Sequence, residues 1–203
     1  MASRSGSRIE RRQTGKSRLA LVASLLLTTF CLARLACATE EWQTLKDCIL
    51  IPNHANDGDS FHVRHDGKEY IFRLYFIDTP ETENEFPDRV ANQAKYFHIP
   101  VANVLAIGRE AARFTAQELN GRFTVVTRWQ GARGQSKLPR HYALVEINGK
   151  DLSEELVTEG LARVFGVRAN RPGAPPAKQV IAKLKQLERV AKLNHRGAWM
   201  FSR

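Results

Sequence analysis

The stretch "FHVRHDGKEYIFRLYFIDTPE", residues 61–81, places alternating apolar and polar residues on either side of an Asp-Gly pair. Phe61 and Val63 alternate with polar neighbours, and Tyr70, Phe72, Leu74 and Phe76 return on one face. Asp66-Gly67 between two such runs is the strongest short-range sign of a β-hairpin, because its turn needs two residues that tolerate positive φ. The returning strand carries Arg73 among core-forming residues, with Asp78 at its end and Glu81 just past Pro80. An unpaired buried cation and clustered acids each cost free energy, so these charges point to a use beyond packing.

Further strands are expected at "RFTVVTRW" (122–129) and "RHYALVEINGKDL" (140–152), the latter holding a second tight turn at Asn148-Gly149. Between the strand groups, "LAIGREAARFTAQEL" (105–119) has helical periodicity, with Leu105, Ala112, Phe114 and Leu119 available for a buried face. Ser153 reads as the cap of a helix that Gly160 ends. After the Pro/Gly break "NRPGAPPAK" (170–178), "QVIAKLKQLERVAKL" (179–193) predicts a C-terminal amphipathic helix. Residues 82–104 read as a long surface excursion with no assigned role. The pattern suits a small closed β barrel with helices packed on it, and by itself does not distinguish that barrel from other α+β domains.

The N-terminal segment has its own composition. Arg4, Arg8, Arg11, Arg12, Lys16 and Arg18 precede an apolar run from Leu19 to Leu32, which is shorter than the ~20 residues a membrane-spanning helix needs. With the small residues Ala36 and Ala38 following, this reads as a signal peptide over 1–38, cleaved before Thr39, and the domain as 39–203. A retained short anchor is the rival reading, and Arg11-Arg12 lacks the apolar residues that follow a twin-arginine signal. The segment holds +6 of the net +10, so about +4 stays with the mature chain, and bulk charge is a weak argument for a nucleic-acid partner. Export makes the chain secreted or periplasmic, with no stable membrane association once the leader is removed. Cys48 alone then remains, so no intramolecular disulfide forms and the fold rests on its core.

Four pieces of the chain carry a family likeness: "DGDS" (57–60), "FRLYFIDTPE" (72–81), Arg140 before a strand, and "EGLARV" (159–164). Together they resemble the micrococcal nuclease (thermonuclease) family over essentially the whole mature chain. Arg73, Asp78 and Glu81 lie in that family's register relative to Asp59. The resemblance implies a five-stranded oligonucleotide-binding barrel with about three helices, a monomer that hydrolyses DNA and RNA with Ca2+. It implies Asp59, Asp78 and the Thr79 carbonyl as metal ligands, supported by Asp57, with Arg73, Glu81 and Arg140 catalytic.

The residue chemistry suits those roles. Calcium takes oxygen ligands in irregular geometry, and two carboxylates with one carbonyl leave part of its shell open. A guanidinium offers a planar fork to two phosphate oxygens, where charge builds during phosphodiester hydrolysis. Pro80 limits where Glu81 points as a base for the attacking water. Singly, each residue has a bland reading: Asp57 and Asp59 as turn residues, Arg73 as a strand arginine paired with Glu69 or an acid nearby, Glu81 as a solvated acid, Arg140 as part of a basic run. His54, His62, His65, His98, His141 and His195 show no ligand spacing. The chain departs from the family at Leu138 and Pro139, and at Phe165 and Gly166, where members carry tyrosines that hold the nucleotide. A noncatalytic nucleic-acid-binding barrel and a phosphodiesterase for small nucleotides are the alternatives.

Overall fold

A computed structural model describes residues 41–201 except Gln135. The expected signal peptide and its cleavage point lie outside these residues. Strands β1 (Gln43–Leu50), β2 (Ser60–His65), β3 (Lys68–Leu74), β5 (Phe123–Ala132) and β6 (Arg140–Ile147) form the barrel. They run in the order β3-β2-β1-β5-β6, and a parallel pairing of β3 with β6 closes the sheet on itself. The short β7 (Lys150–Asp151) extends β6. A second pair, β4 (Ile77–Asp78) with β8 (Arg163–Val164), stands beside the barrel.

The β2–β3 hairpin forms as expected, with Asp66 and Gly67 at φ 48° and 74° and Phe61 facing Phe72 in register. Asn148 and Gly149 adopt the same left-handed turn, at φ 50° and 79°. Phe61, Val63, Phe72, Leu74, Val125, Ala143 and Val145 fill the interior with at most 1 % exposure. Strand β1 was not among the expected strands. It is irregular between Leu45 and Cys48, with Asp47 at φ 57°, so its two buried residues lie three apart and break the two-residue period. Cys48 is packed, as expected; burial pushes its thiol up to about 11.

Four α-helices are described rather than about three: α1 (Pro87–Phe97), α2 (Val101–Glu118), α3 (Leu152–Thr158) and α4 (Ala177–Leu193), followed by a 3-10 turn at Gly197–Met200. Helix α1 corrects the reading of 82–104 as a surface excursion. Pro87 opens it, and Val90, Gln93 and Phe97 form a fully buried stripe at helical spacing. Helix α2 starts at Val101, before the expected Leu105. The cap of α3 is Asp151 rather than Ser153: its carboxylate accepts the N–H groups of Ser153 at 2.8 Å and Glu154 at 3.2 Å. Among the described residues, no helix is long and apolar enough to cross a membrane.

Candidate active site

Arg73 does not pair with Glu69. Glu69 sits opposite Arg64, whereas Arg73 points to the acids at the barrel rim. One of its nitrogens, Nη2, donates to Asp59 Oδ2 at 3.1 Å and to Asp78 Oδ1 at 2.9 Å. These two carboxylates, nineteen residues apart in sequence, therefore converge on a single guanidinium nitrogen.

Local backbone features set each acid. Asp57 Oδ1 accepts the N–H groups of Asp59 at 2.9 Å and Ser60 at 2.6 Å, which closes the turn and turns Asp59 inward. Gly58 is required there, since a Cβ would come within 2.7 Å of both Ala111 and Thr79. Asp78 is not at the end of the Arg73 strand, as expected from sequence. Strand β3 stops at Leu74, Phe76 turns the chain at φ 68°, and Asp78 enters β4 opposite Arg163. Gly108 of α2 lets the next segment press on the helix: a Cβ there would fall within 2.7 Å of the Pro80 carbonyl, and closer still to that of Glu81.

Asp78 is saturated by donors. Its Oδ1 also accepts from Arg89 Nη2 at 2.6 Å, and its Oδ2 accepts from Arg163 Nε at 2.9 Å and Gln93 Nε2 at 3.0 Å. Burial pushes this carboxyl up, but Arg89, Arg163 and Arg73 outweigh burial and hold it below the ordinary carboxylate value. Asp59 goes the other way: burial pushes it up to about 7 against the pull of Arg73, with Asp57 and Asp78 adding to the rise. Glu81 is also raised by burial, opposed by Arg89, whose Nε stands 2.8 Å from Glu81 Oε1.

Arg140 reaches the same rim from β6. Its Nη1 donates to Ser60 Oγ at 3.2 Å and its Nη2 to the Arg133 carbonyl, while the buried Nε has no partner. Among the described residues it pairs with no carboxylate. Burial, then the nearby Arg73 charge, lowers its pKa. Tyr142 faces Arg73 across the β3–β6 pairing. Where the family resemblance leads one to expect tyrosines, Leu138 and Phe165 are exposed, and Arg163 lies 4.4 Å over the Phe165 ring.

All the site residues named from sequence are thus gathered at one rim, with Asp57 bracing Asp59 from behind. Sequence reasoning missed Arg89 and Gln93 of α1, and gave Arg163 no role. The signal for α1 was the Val90, Ala94, Phe97 spacing after Pro87.

The donor set suits a hard cation in kind, since every candidate ligand is oxygen and the buried Asp59 Oδ1 accepts no hydrogen bond. Asp78 and the Thr79 carbonyl already take donors, the latter from Gln93 at 3.0 Å. Among the described residues, no group of three or more His, Cys, Asp or Glu is arranged to hold a metal.

Endonuclease YncB of Bacillus subtilis (strain 168) is 30% identical over 112 residues, 55% of this chain and 46% of that protein. The SPbeta prophage-derived endonuclease YokF of the same organism is 29% identical over 147 residues, 72% of this chain and 42% of its own. An uncharacterized protein of Bacillus anthracis is 26% identical over 160 residues, 77% of this chain and 62% of its own. The chain therefore spans about half the length of these relatives. The family model for staphylococcal nuclease homologues matches residues 71–201, a span that contains Arg73, Asp78, Glu81 and Arg140. By that match over most of its length, the chain belongs to the staphylococcal nuclease homologue family.

Proposed function

We propose that the chain is an exported, calcium-dependent nuclease that cuts phosphodiester bonds in DNA and RNA with little sequence preference. The observation that carries this reading is the convergence of Arg73 and Arg140 with Asp59, Asp78 and Glu81 at one barrel rim. A structural barrel gains little from burying such a cluster, because the desolvation cost of each charge offsets much of its pairing energy. The family match and the two relatives named as endonucleases support the same reading.

Phosphodiesters resist attack because their anionic oxygens repel a nucleophile and gain charge as phosphorus becomes five-coordinate. In this site Arg73 and Arg140 bind the non-bridging oxygens and strengthen their hold as that charge develops. Glu81 takes a proton from the attacking water as the new P–O bond forms, and the bond to the leaving oxygen breaks with its electron pair. The leaving oxygen acquires its proton from solvent. Asp59, whose Oδ1 accepts no hydrogen bond, would hold calcium together with Asp78 and the Thr79 carbonyl once each of these exchanges a donor for the ion, and calcium supplies positive charge beside the phosphate when bound. Asp57 keeps Asp59 in place through the two N–H contacts.

The test is turnover of plasmid DNA, RNA and a short nucleotide diester, with calcium and with chelator, by wild type and Glu81→Gln. Cleavage of both polymers only with calcium, and a loss of roughly 10²- to 10⁴-fold in Glu81→Gln, is expected. Binding of nucleic acid without cleavage would show a noncatalytic barrel instead. Cleavage of the short diester alone would show a small-nucleotide phosphodiesterase. Excess calcium should not rescue Glu81→Gln; if it does so fully, Glu81 is a ligand or a bystander.

A further inference from the structure

We propose that Arg89, delivered by helix α1, is a positioning residue that aims the Glu81 carboxylate at the attacking water. This role rests on the reading of Glu81 as the general base.

Glu81 follows a proline and carries three side-chain torsions, so Pro80 constrains its backbone but leaves its carboxylate free to swing. A base must hold its oxygen within hydrogen-bond reach of the water it deprotonates, and small misplacements are costly. The Arg89 guanidinium removes that freedom. Its Nε stands 2.8 Å from Glu81 Oε1, and its Nη2 donates to Asp78 Oδ1 at 2.6 Å. One rigid planar group therefore spans the two acids and sets their spacing. Among the described residues, no hydrogen bond is made to Glu81 Oε2, which leaves that oxygen of the carboxylate for water. The Arg89 side chain is 35% exposed, so it lies at the edge of the cleft rather than in the core.

The helix that carries Arg89 is held on several sides, so the guanidinium is not a loose surface cation. Val90, Gln93 and Phe97 are fully buried. Arg163 Nη1 donates to Asn92 Oδ1 at 2.7 Å, which ties α1 to β8. The Gln93 amide donates to Asp78 and to the Thr79 carbonyl, and its Oε1 accepts the Glu81 N–H at 2.9 Å. Gln93 thereby fixes the Glu81 backbone while Arg89 fixes its carboxylate, from adjacent turns of one helix.

The experiment is a double-mutant cycle on cleavage of a single-stranded DNA oligonucleotide with calcium in excess, comparing wild type, Arg89→Met, Glu81→Gln and the double variant. Arg89→Met is expected to lower kcat by roughly 10- to 100-fold, the scale of a misplaced catalytic group, with KM changed much less. Arg89→Lys should recover part of the loss, because an ammonium holds one acid but does not span both. In the Glu81→Gln background, Arg89→Met should cost less than about threefold, since a residue that acts through Glu81 has nothing left to position. Multiplied losses in the double variant, or an Arg89→Met enzyme with wild-type kcat, overturn the proposal while leaving the general-base reading intact. Wild-type turnover in Glu81→Gln overturns both. Circular dichroism and thermal melting establish that the variants fold; should Arg89→Met not do so, Arg89→Gln and Arg89→Lys are carried through the same cycle and judged by the same outcomes.

Discussion

Asp78 shows how a single residue is decided by its neighbours. Three guanidiniums and an amide donate to its two oxygens, so an acid at 3 % exposure is held below the ordinary carboxylate value although burial pushes it up. Among those partners, Arg73 serves both Asp59 and Asp78 through one nitrogen, and on the proposed function the rest of its fork meets phosphate. Arg73→Lys keeps the charge but not the fork. The expected cost is one charge-assisted hydrogen bond in the transition state, about 1.5–3 kcal/mol, or roughly 10- to 100-fold in kcat/KM. Steady-state kinetics check it; wild-type kcat/KM in that variant would remove Arg73 from the phosphate site.

Among elements, α3 offers a test of burial against capping. Asp151 caps it through two N–H groups, yet burial pushes its carboxyl up to about 6, with the hydrogen bonds from Glu154 and Ser153 opposing. A folded-state value above the ordinary one means that the folded protein holds the proton more tightly. The associated stability is present below about pH 4 and is lost as pH rises to about 6. Asp151→Asn keeps a capping oxygen and has no proton to lose. Its melting temperature relative to wild type should therefore rise between pH 4 and pH 7, and a flat difference would show that the carboxyl is not shifted. Asp151→Ala removes the cap and should cost about 1 kcal/mol at pH 4.

For the molecule as a whole, the C-terminal turn holds the helices around α1. Trp199 is 2% exposed, with its ring 4.9 Å from Phe97 and 6.1 Å from Tyr96, both on α1. Tyr96 in turn donates to Glu188 of α4 at 2.5 Å. Trp199→Ala should lower the unfolding free energy by roughly 3–5 kcal/mol, as for other large-to-small core changes. Because α1 also carries Arg89 and Gln93, the variant should lose turnover at temperatures where wild type is still fully active. Chemical denaturation followed by ellipticity checks the first expectation and a temperature series of initial rates the second.

The sequence by itself determined the β2–β3 hairpin, because it is written in short-range terms: residues that tolerate positive φ at 66–67 and a two-residue alternation on either side. It also showed Cys48 as a packed residue and the helix from 179 onward, where periodicity is clear. Other features depended on contacts between distant segments. The bulge in β1 hides that strand's period, since Leu45 and Cys48 face inward three residues apart. Asp78 leaves the Arg73 strand because Phe76 turns the backbone and Arg163, eighty-five residues on, pairs with it. Above all, only the tertiary structure brought Arg89 and Gln93 to Asp78 and Glu81. An ion pair across eight residues of turn and helix start has no local signature, and a guanidinium's partner is chosen by which charges the packed helices leave within its reach.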